Sequence, residues 1–141
     1  CVLSHMDWGL GAFQKAELVF NETLNTTLLR HTHNERIKLA LACYWRYCSI
    51  KYNPQIEYLK YLNNNEIFSS KQVGSALRFA NSLTSISTIF LEEFKLYKRG
   101  KSLFLKIPFH HQEIISKQVT KRFKALAREL LLEPRVIYSN S

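Results

Sequence analysis

The stretch that decides the fold is LEEFKLYKRGKSLFLKIP at residues 91–108, followed by ISKQVTKRFKALARELL at residues 115–131. In the first part, apolar and polar side chains alternate with the period of two of a β-strand, on both sides of Arg99 and Gly100. This pattern predicts a β-hairpin, and Pro108 should end its second strand because proline has no N–H to donate to the ladder. The second part has helical periodicity instead, so we expect a last helix over about residues 111–131.

The last helix has two contrasting faces. Its apolar stripe contains Ile115, Val119, Leu126 and Leu130, with Phe123 on the flank. On the opposite face, basic side chains recur at i, i+4, i+7 and i+11, and at 100° per residue they form one line. These are Lys117, Lys121, Lys124 and Arg128. Arg122 differs, because it projects near the apolar side, where its stem can pack and its guanidinium needs a partner or solvent.

Helical patterns dominate the rest of the chain. Four Gly and three Pro provide too little turn chemistry for a sandwich of many short strands. Two or three short helices are expected before residue 30. Thr32 and Glu35 have the spacing of a capping box, and the helix that follows is apolar nearly all round, so it should be covered on both sides.

Residues 54–62 can form a short helix, and residues 63–65, all Asn, read as a loop. Ser69 or Ser70 should then cap a helix whose apolar stripe is Val73, Ala76, Leu77, Ala80 and Leu83 and whose other face carries Lys71, Ser75, Arg78 and Ser82. The predicted class is therefore mainly α, an α+β fold with one β-hairpin before the C-terminal helix. With 141 residues, of which 46% are hydrophobic and 22% charged, the chain should form a single globular domain over residues 1–141.

The positive charge is concentrated in one quarter of the chain. The formal net charge is +9, and residues 95–128 contain ten Lys or Arg against Glu113 alone. The remaining residues carry equal numbers of basic and acidic side chains. Such a local positive field typically faces a polyanion, although a solvated face that aids solubility has the same composition.

Residues for catalysis are scarce. Asp7 is the one aspartate, the four glycines are too scattered for a phosphate-binding loop, and no histidine pair has the i, i+4 spacing of a metal site. We therefore assign no catalytic residue, metal ligand or cofactor to this chain. Three cysteines without paired spacing suggest a reducing, cytoplasmic location, and no stretch is apolar enough to span a membrane. The chain begins at Cys1 and lacks a signal-peptide pattern, so we expect it to be part of a longer protein.

Several segments resemble one family in order, spacing and residue type. The most specific are QVGSALRFANSLTS at residues 72–85, the hairpin at 91–108 and the helix at 115–131; CVLSHMDW at 1–8 and HNERIKLALACYWRY at 33–47 match less specifically. Together they resemble the C-terminal HD-like helical domain of the exopolyphosphatases of the Ppx/GppA phosphatase family.

The resemblance implies a two-part hydrolase acting on phosphoric anhydrides. Its N-terminal actin-like domain, with phosphate loops, a catalytic carboxylate and a magnesium site, would be absent from this chain. The present region would bind inorganic polyphosphate, and the resemblance adds Arg78 and Arg122 as anion contacts to the basic line on the last helix. The partners implied are polyphosphate and the chain's own N-terminal catalytic domain.

Two other interpretations remain open from the residues. One is a freestanding helical module that binds nucleic acid, with the basic helix against phosphates. That helix face has no aromatic residue for base stacking, which weakens this alternative. The other is a dimerisation module, forming a homodimer, whose charge is incidental.

Overall fold

The computed structural model describes residues 11–26, 32–49, 57–85 and 91–139. Contacts between residues divide the chain into two compact units, Cys1–Leu77 and Arg78–Ser141. The described chain is mostly helical, and a small sheet belongs to the second unit, so the mainly α class with a hairpin before the C-terminal helix is confirmed. A single domain over residues 1–141 stays a prediction. Within the described ranges, no helix combines the length and apolar character needed to cross a membrane.

The first unit is built around helix α2, His33–Tyr47, which packs against α1, Ala12–Asn25. The predicted capping box starts α2: the Thr32 hydroxyl accepts a hydrogen bond from Glu35 N at 3.3 Å, and Thr32 N donates to Glu35 Oε2 at 2.8 Å. The core joins buried side chains of both helices: Ala16, Phe20, Leu24, Ile37, Leu41, Tyr44 and Trp45. Coverage of α2 is incomplete, because Leu39 remains 39% exposed. Of the short helices expected before residue 30, α1 lies in the described part, and a 3₁₀ turn, Glu57–Tyr61, occupies the end of the segment predicted at 54–62.

Helix α3, Asn64–Thr84, begins earlier than the sequence suggested. The predicted asparagine loop is wrong, because Asn63 caps the helix: its Oδ1 accepts from Glu66 N at 2.9 Å, and its N donates to Glu66 Oε2 at 3.0 Å. Ser69 and Ser70 do not cap anything. Their hydroxyls donate to the carbonyls one turn earlier inside the helix.

The buried face of α3 is also opposite to the one predicted. Val73 and Leu77 of the expected apolar stripe are 49% and 38% exposed, whereas Ser75 is 3% exposed. The reason is close packing at Gly74, where an added Cβ would lie 2.6 Å from Trp45 Cβ and 2.8 Å from the carbonyl oxygen of Ala42. Small residues must face α2 at this approach, so the larger apolar side chains turn outward.

The second unit contains the predicted hairpin, β1 at Lys95–Arg99 and β2 at Ser102–Pro108. Gly100 provides the positive φ, 58°, that the tight turn requires. A third strand, β3 at Glu133–Ser139, was not predicted and pairs parallel to β2, giving the order β1-β2-β3. One face of this sheet packs on α4, Lys117–Glu129, in a shared core: Phe79, Leu103, Leu105, Ile107, Val119, Phe123, Leu126 and Ala127.

The last helix is shorter than the predicted span of 111–131. Residues Phe109–Ile114 form a 3₁₀ helix, and the Ser116 hydroxyl then caps α4 by accepting from Val119 N at 3.3 Å. At the other end, Leu132 N donates to the Ala127 carbonyl at 2.8 Å and Leu131 N to the Arg128 carbonyl at 2.9 Å, while Leu131 has φ 56°. This is a Schellman ending with leucine in the place that glycine favours, and it turns the chain into β3.

Candidate polyanion-binding site

The exposed side of α4 carries a line of four cations, here called the α4 basic face: Lys117, Lys121, Lys124 and Arg128. All four are exposed, and the opposite side of the helix is buried against the sheet. The predicted line is therefore present on the solvent side. Neighbours at i, i+3 and i+4 have Cβ atoms about 5–6 Å apart, so the charges form one continuous row.

In the part of the chain that the structure describes, no ion pair joins a carboxylate to this row. Among the described residues, the ion pairs found involve Lys38, His110, His111 and Arg135 rather than any member of the α4 basic face. Like charges one turn apart repel by a few tenths of a kcal/mol per pair, about the size of the attraction between opposite charges at that spacing. An anion lying along the helix would remove this repulsion, so the row favours an extended, negatively charged ligand.

Arg122 and Arg78 form a second group of cations. Arg122 is half-buried, and its Nη1 donates to the Arg78 carbonyl oxygen at 3.4 Å. Burial lowers the pKa of Arg122, and the positive charge of Arg78 lowers it further. The expected behaviour of Arg122 is confirmed, since its guanidinium finds a partner on the apolar flank.

The six predicted binding residues do not form one patch. At 100° per residue, Arg122 lies roughly 130° around α4 from the centre of the basic face, and Arg78 accompanies Arg122. The structure thus groups four of the six into a row and the other two into a separate contact on the flank. The Arg78 charge is close enough to affect the pKa of Arg122, so two cations share that flank.

Sequence reasoning missed a further basic surface on the outer face of the sheet, the side facing away from α4. There the rings of Tyr97 and Phe104 stack with centroids 5.2 Å apart and planes 10° from parallel. Alternation along each strand and the strand register place four cations around this pair: Lys95, Arg99, Lys106 and Arg135. We call these six residues the aromatic sheet face. The alternation of side chains over residues 95–106 already indicated a two-sided strand pair. Only the register between the strands shows which side chains lie on the same face.

One group of side chains in the described residues has the donor atoms for a metal ion. Glu93, His110 and His111 bring a carboxylate oxygen and two imidazole nitrogens within 4.8 Å of one another. The histidines are adjacent in sequence and lack regular metal-site spacing, so the spacing alone did not predict this cluster. Of the two thiols described, Cys43 is half-buried on α2, and Cys48 is buried at the C-cap that follows it.

A scan of the chain against models of known protein families found no match, and no curated protein matches its sequence. The resemblance to the Ppx/GppA family therefore depends on the segments quoted above, and the function is argued from the surfaces just described.

Proposed function

We propose that this chain is the C-terminal polyphosphate-binding region of a cytoplasmic exopolyphosphatase. In the intact enzyme an N-terminal actin-like domain, using magnesium, would release terminal phosphate by hydrolysing phosphoanhydride bonds. The present region would retain the rest of the polymer. The observation that carries the proposal is the α4 basic face, an exposed row of four cations without a neutralising carboxylate among the described ion pairs.

The dimensions of the row suit a linear polyanion. Lys117 and Arg128 are eleven residues apart, which at 1.5 Å per residue corresponds to about 16 Å along the helix axis. Polyphosphate carries a negative charge at every phosphate, and its units are identical, so a row of charges suits it better than a shaped pocket. Lysine supplies a flexible point charge, so three lysines and one arginine can follow such a chain in any register.

The test is a titration of long-chain polyphosphate at several salt concentrations. Contacts to phosphates release bound counterions, so log affinity should fall linearly with log salt, by roughly one unit of slope for each cation engaged. Replacing Lys117, Lys121, Lys124 and Arg128 together by Gln should reduce the slope by about 3 to 4.

A variant with the same change in net charge is the control. Replacing Lys95, Arg99, Lys106 and Arg135 by Gln removes four positive charges from the aromatic sheet face, which is on the side of the sheet away from α4. Charges separated by more than about 8–10 Å are screened at physiological salt, so this variant should keep the wild-type slope for polyphosphate. Equal losses in both variants would refute binding along α4.

A second candidate is binding of single-stranded nucleic acid, and the aromatic sheet face favours it. Tyr97 is 40% exposed on the edge strand β1, and Phe104 lies against one side of its ring. A base could extend this stack on the other side, while the surrounding cations contact phosphates. Glu133 partly neutralises the charge of Arg135, because its Oε2 lies 3.1 Å from Arg135 Nη2. The phosphate contacts would therefore come mostly from Lys95, Arg99 and Lys106.

Replacing Tyr97 by Leu separates the two candidates, because base stacking contributes about 1–3 kcal/mol per base and polyphosphate has no ring to stack. Affinity for a single-stranded oligonucleotide should fall about 5- to 150-fold, and affinity for polyphosphate should not change. Tyr138→Leu is a matched control, since Tyr138 is 42% exposed on β3 but belongs to the other face of the sheet. Oligonucleotide binding that is equal in wild type and Tyr97→Leu would eliminate this candidate.

A further inference from the structure

We propose that Glu93, His110 and His111 form a binding site for a divalent transition-metal ion of the zinc class. The site is separate from the α4 basic face and does not depend on the function proposed above. The hairpin brings its parts together. Glu93 ends a 3₁₀ turn, Leu91–Glu93, just before β1, and the histidines lie in the 3₁₀ helix just after β2. Because β1 and β2 are antiparallel, with Lys95 opposite Lys106, the residues before β1 and after β2 meet at the same end of the hairpin.

Two of the three distances between donor atoms match those in a coordination sphere. The Nε2 atoms of His110 and His111 lie 3.1 Å and 3.2 Å from the same oxygen, Glu93 Oε2. Tetrahedral zinc has bonds of about 2.0–2.1 Å to nitrogen and oxygen, which places adjacent ligand atoms about 3.3 Å apart. All three donor atoms lie within 4.8 Å of one another, so a small inward movement of the side chains would bring them to one ion.

The convergence of two adjacent histidines supports the same conclusion. Residues next to each other in a 3₁₀ helix project about 120° apart. Here the two imidazole rings nevertheless approach to 4.1 Å between centroids, and both point their Nε2 atoms at one carboxylate. The same convergence would let both rings bind one ion, since neutral imidazole and carboxylate are ligands that zinc accepts together.

The cluster is fixed on one side and open on the other. The His111 side chain is 4% exposed and contacts the Phe94 ring edge to face, with centroids 5.7 Å apart. His110 and Glu93 are 58% and 42% exposed, so an ion can enter from solvent. Three protein ligands would leave the fourth tetrahedral position of a bound zinc ion for water.

The experiment is calorimetric titration of the full chain with zinc chloride, followed by thermal unfolding with and without the metal. We expect one equivalent of zinc to bind through this site and to raise the melting temperature. Glu93→Gln and His110→Asn should each weaken that binding by at least about tenfold and remove the gain in melting temperature. Both residues are well exposed, so circular dichroism should show an intact fold.

His33→Asn is the matched control, because His33 is an exposed histidine of the first unit that contacts Tyr58 and Tyr61 instead. It should bind zinc as the wild type does. Substituting cobalt for zinc reports the donor set: a spectrum without thiolate charge-transfer absorption supports the proposal. A thiolate spectrum, or zinc binding unchanged in both Glu93→Gln and His110→Asn, would overturn it.

Discussion

Gly74→Ala tests the closest helix contact in the first unit, because helix propensity and packing predict opposite signs. Gly74 lies inside α3, where alanine is more favourable than glycine by about 1 kcal/mol. At this position, however, the new Cβ would meet Trp45 Cβ at 2.6 Å and the Ala42 carbonyl oxygen at 2.8 Å. Neither atom can move without displacing the backbone of α2. Overpacking of this kind costs about 1–3 kcal/mol, and more when backbone must shift.

We therefore expect Gly74→Ala to lower the free energy of unfolding by about 1 to 2 kcal/mol after the propensity gain is subtracted, in the upper part of that range because backbone must shift. Urea unfolding followed by circular dichroism measures this value. Gly11→Ala is the control, since its Cβ would meet nothing closer than Gln14 Oε1 at 3.7 Å, and it should change stability by less than about 1 kcal/mol. A Gly74→Ala protein more stable than the wild type would mean that α2 and α3 do not approach each other as described.

Three further predictions concern Tyr44, Leu131 and Arg122. Burial, followed by the neighbouring Cys48 and Glu17, raises the pKa of Tyr44 to about 12, so the folded protein keeps a proton that the unfolded chain loses near pH 10. The contribution of Tyr44 to the free energy of unfolding is therefore complete below pH 10 and decreases as the pH rises toward 12. In urea unfolding, Tyr44→Phe should lose less stability than the wild type over this pH range. Leu131→Gly should stabilise the protein by up to about 1 kcal/mol in thermal unfolding, because it relieves a left-handed leucine whose side chain is 79% exposed. Arg122→Ala should lower both stability, by about 1 kcal/mol, and polyphosphate affinity, because Arg122 is half-buried and its guanidinium donates a hydrogen bond to the Arg78 carbonyl oxygen. An unchanged unfolding midpoint would contradict a structural role for this side chain.

The sequence predicted the elements that depend on interactions between residues close together in the chain. Thr32 and Glu35 define a helix start through hydrogen bonds three residues apart, and the Gly100 turn with alternating neighbours defines the hairpin. The basic line on α4 follows from helical spacing alone. Each of these features depends on residues that are close in sequence.

Three of the features that were missed depend on partners distant in sequence. The inward face of α3 is decided by how closely Gly74 approaches Trp45, so small residues replace the apolar stripe that composition favoured. Strand β3 forms because the chain after α4 pairs with the open edge of β2. The periodicity of the sequence does not predict this pairing. The Glu93 cluster likewise joins residues on either side of the hairpin.

The salt dependence of polyphosphate affinity tests the central claim most directly. If the polymer lies along the α4 basic face, the plot of log affinity against log salt for the wild type should be steep. The variant with Lys117, Lys121, Lys124 and Arg128 replaced by Gln should then lose about 3 to 4 units of slope. A variant that keeps the wild-type slope and affinity would contradict the claim and leave the row as a solvated face.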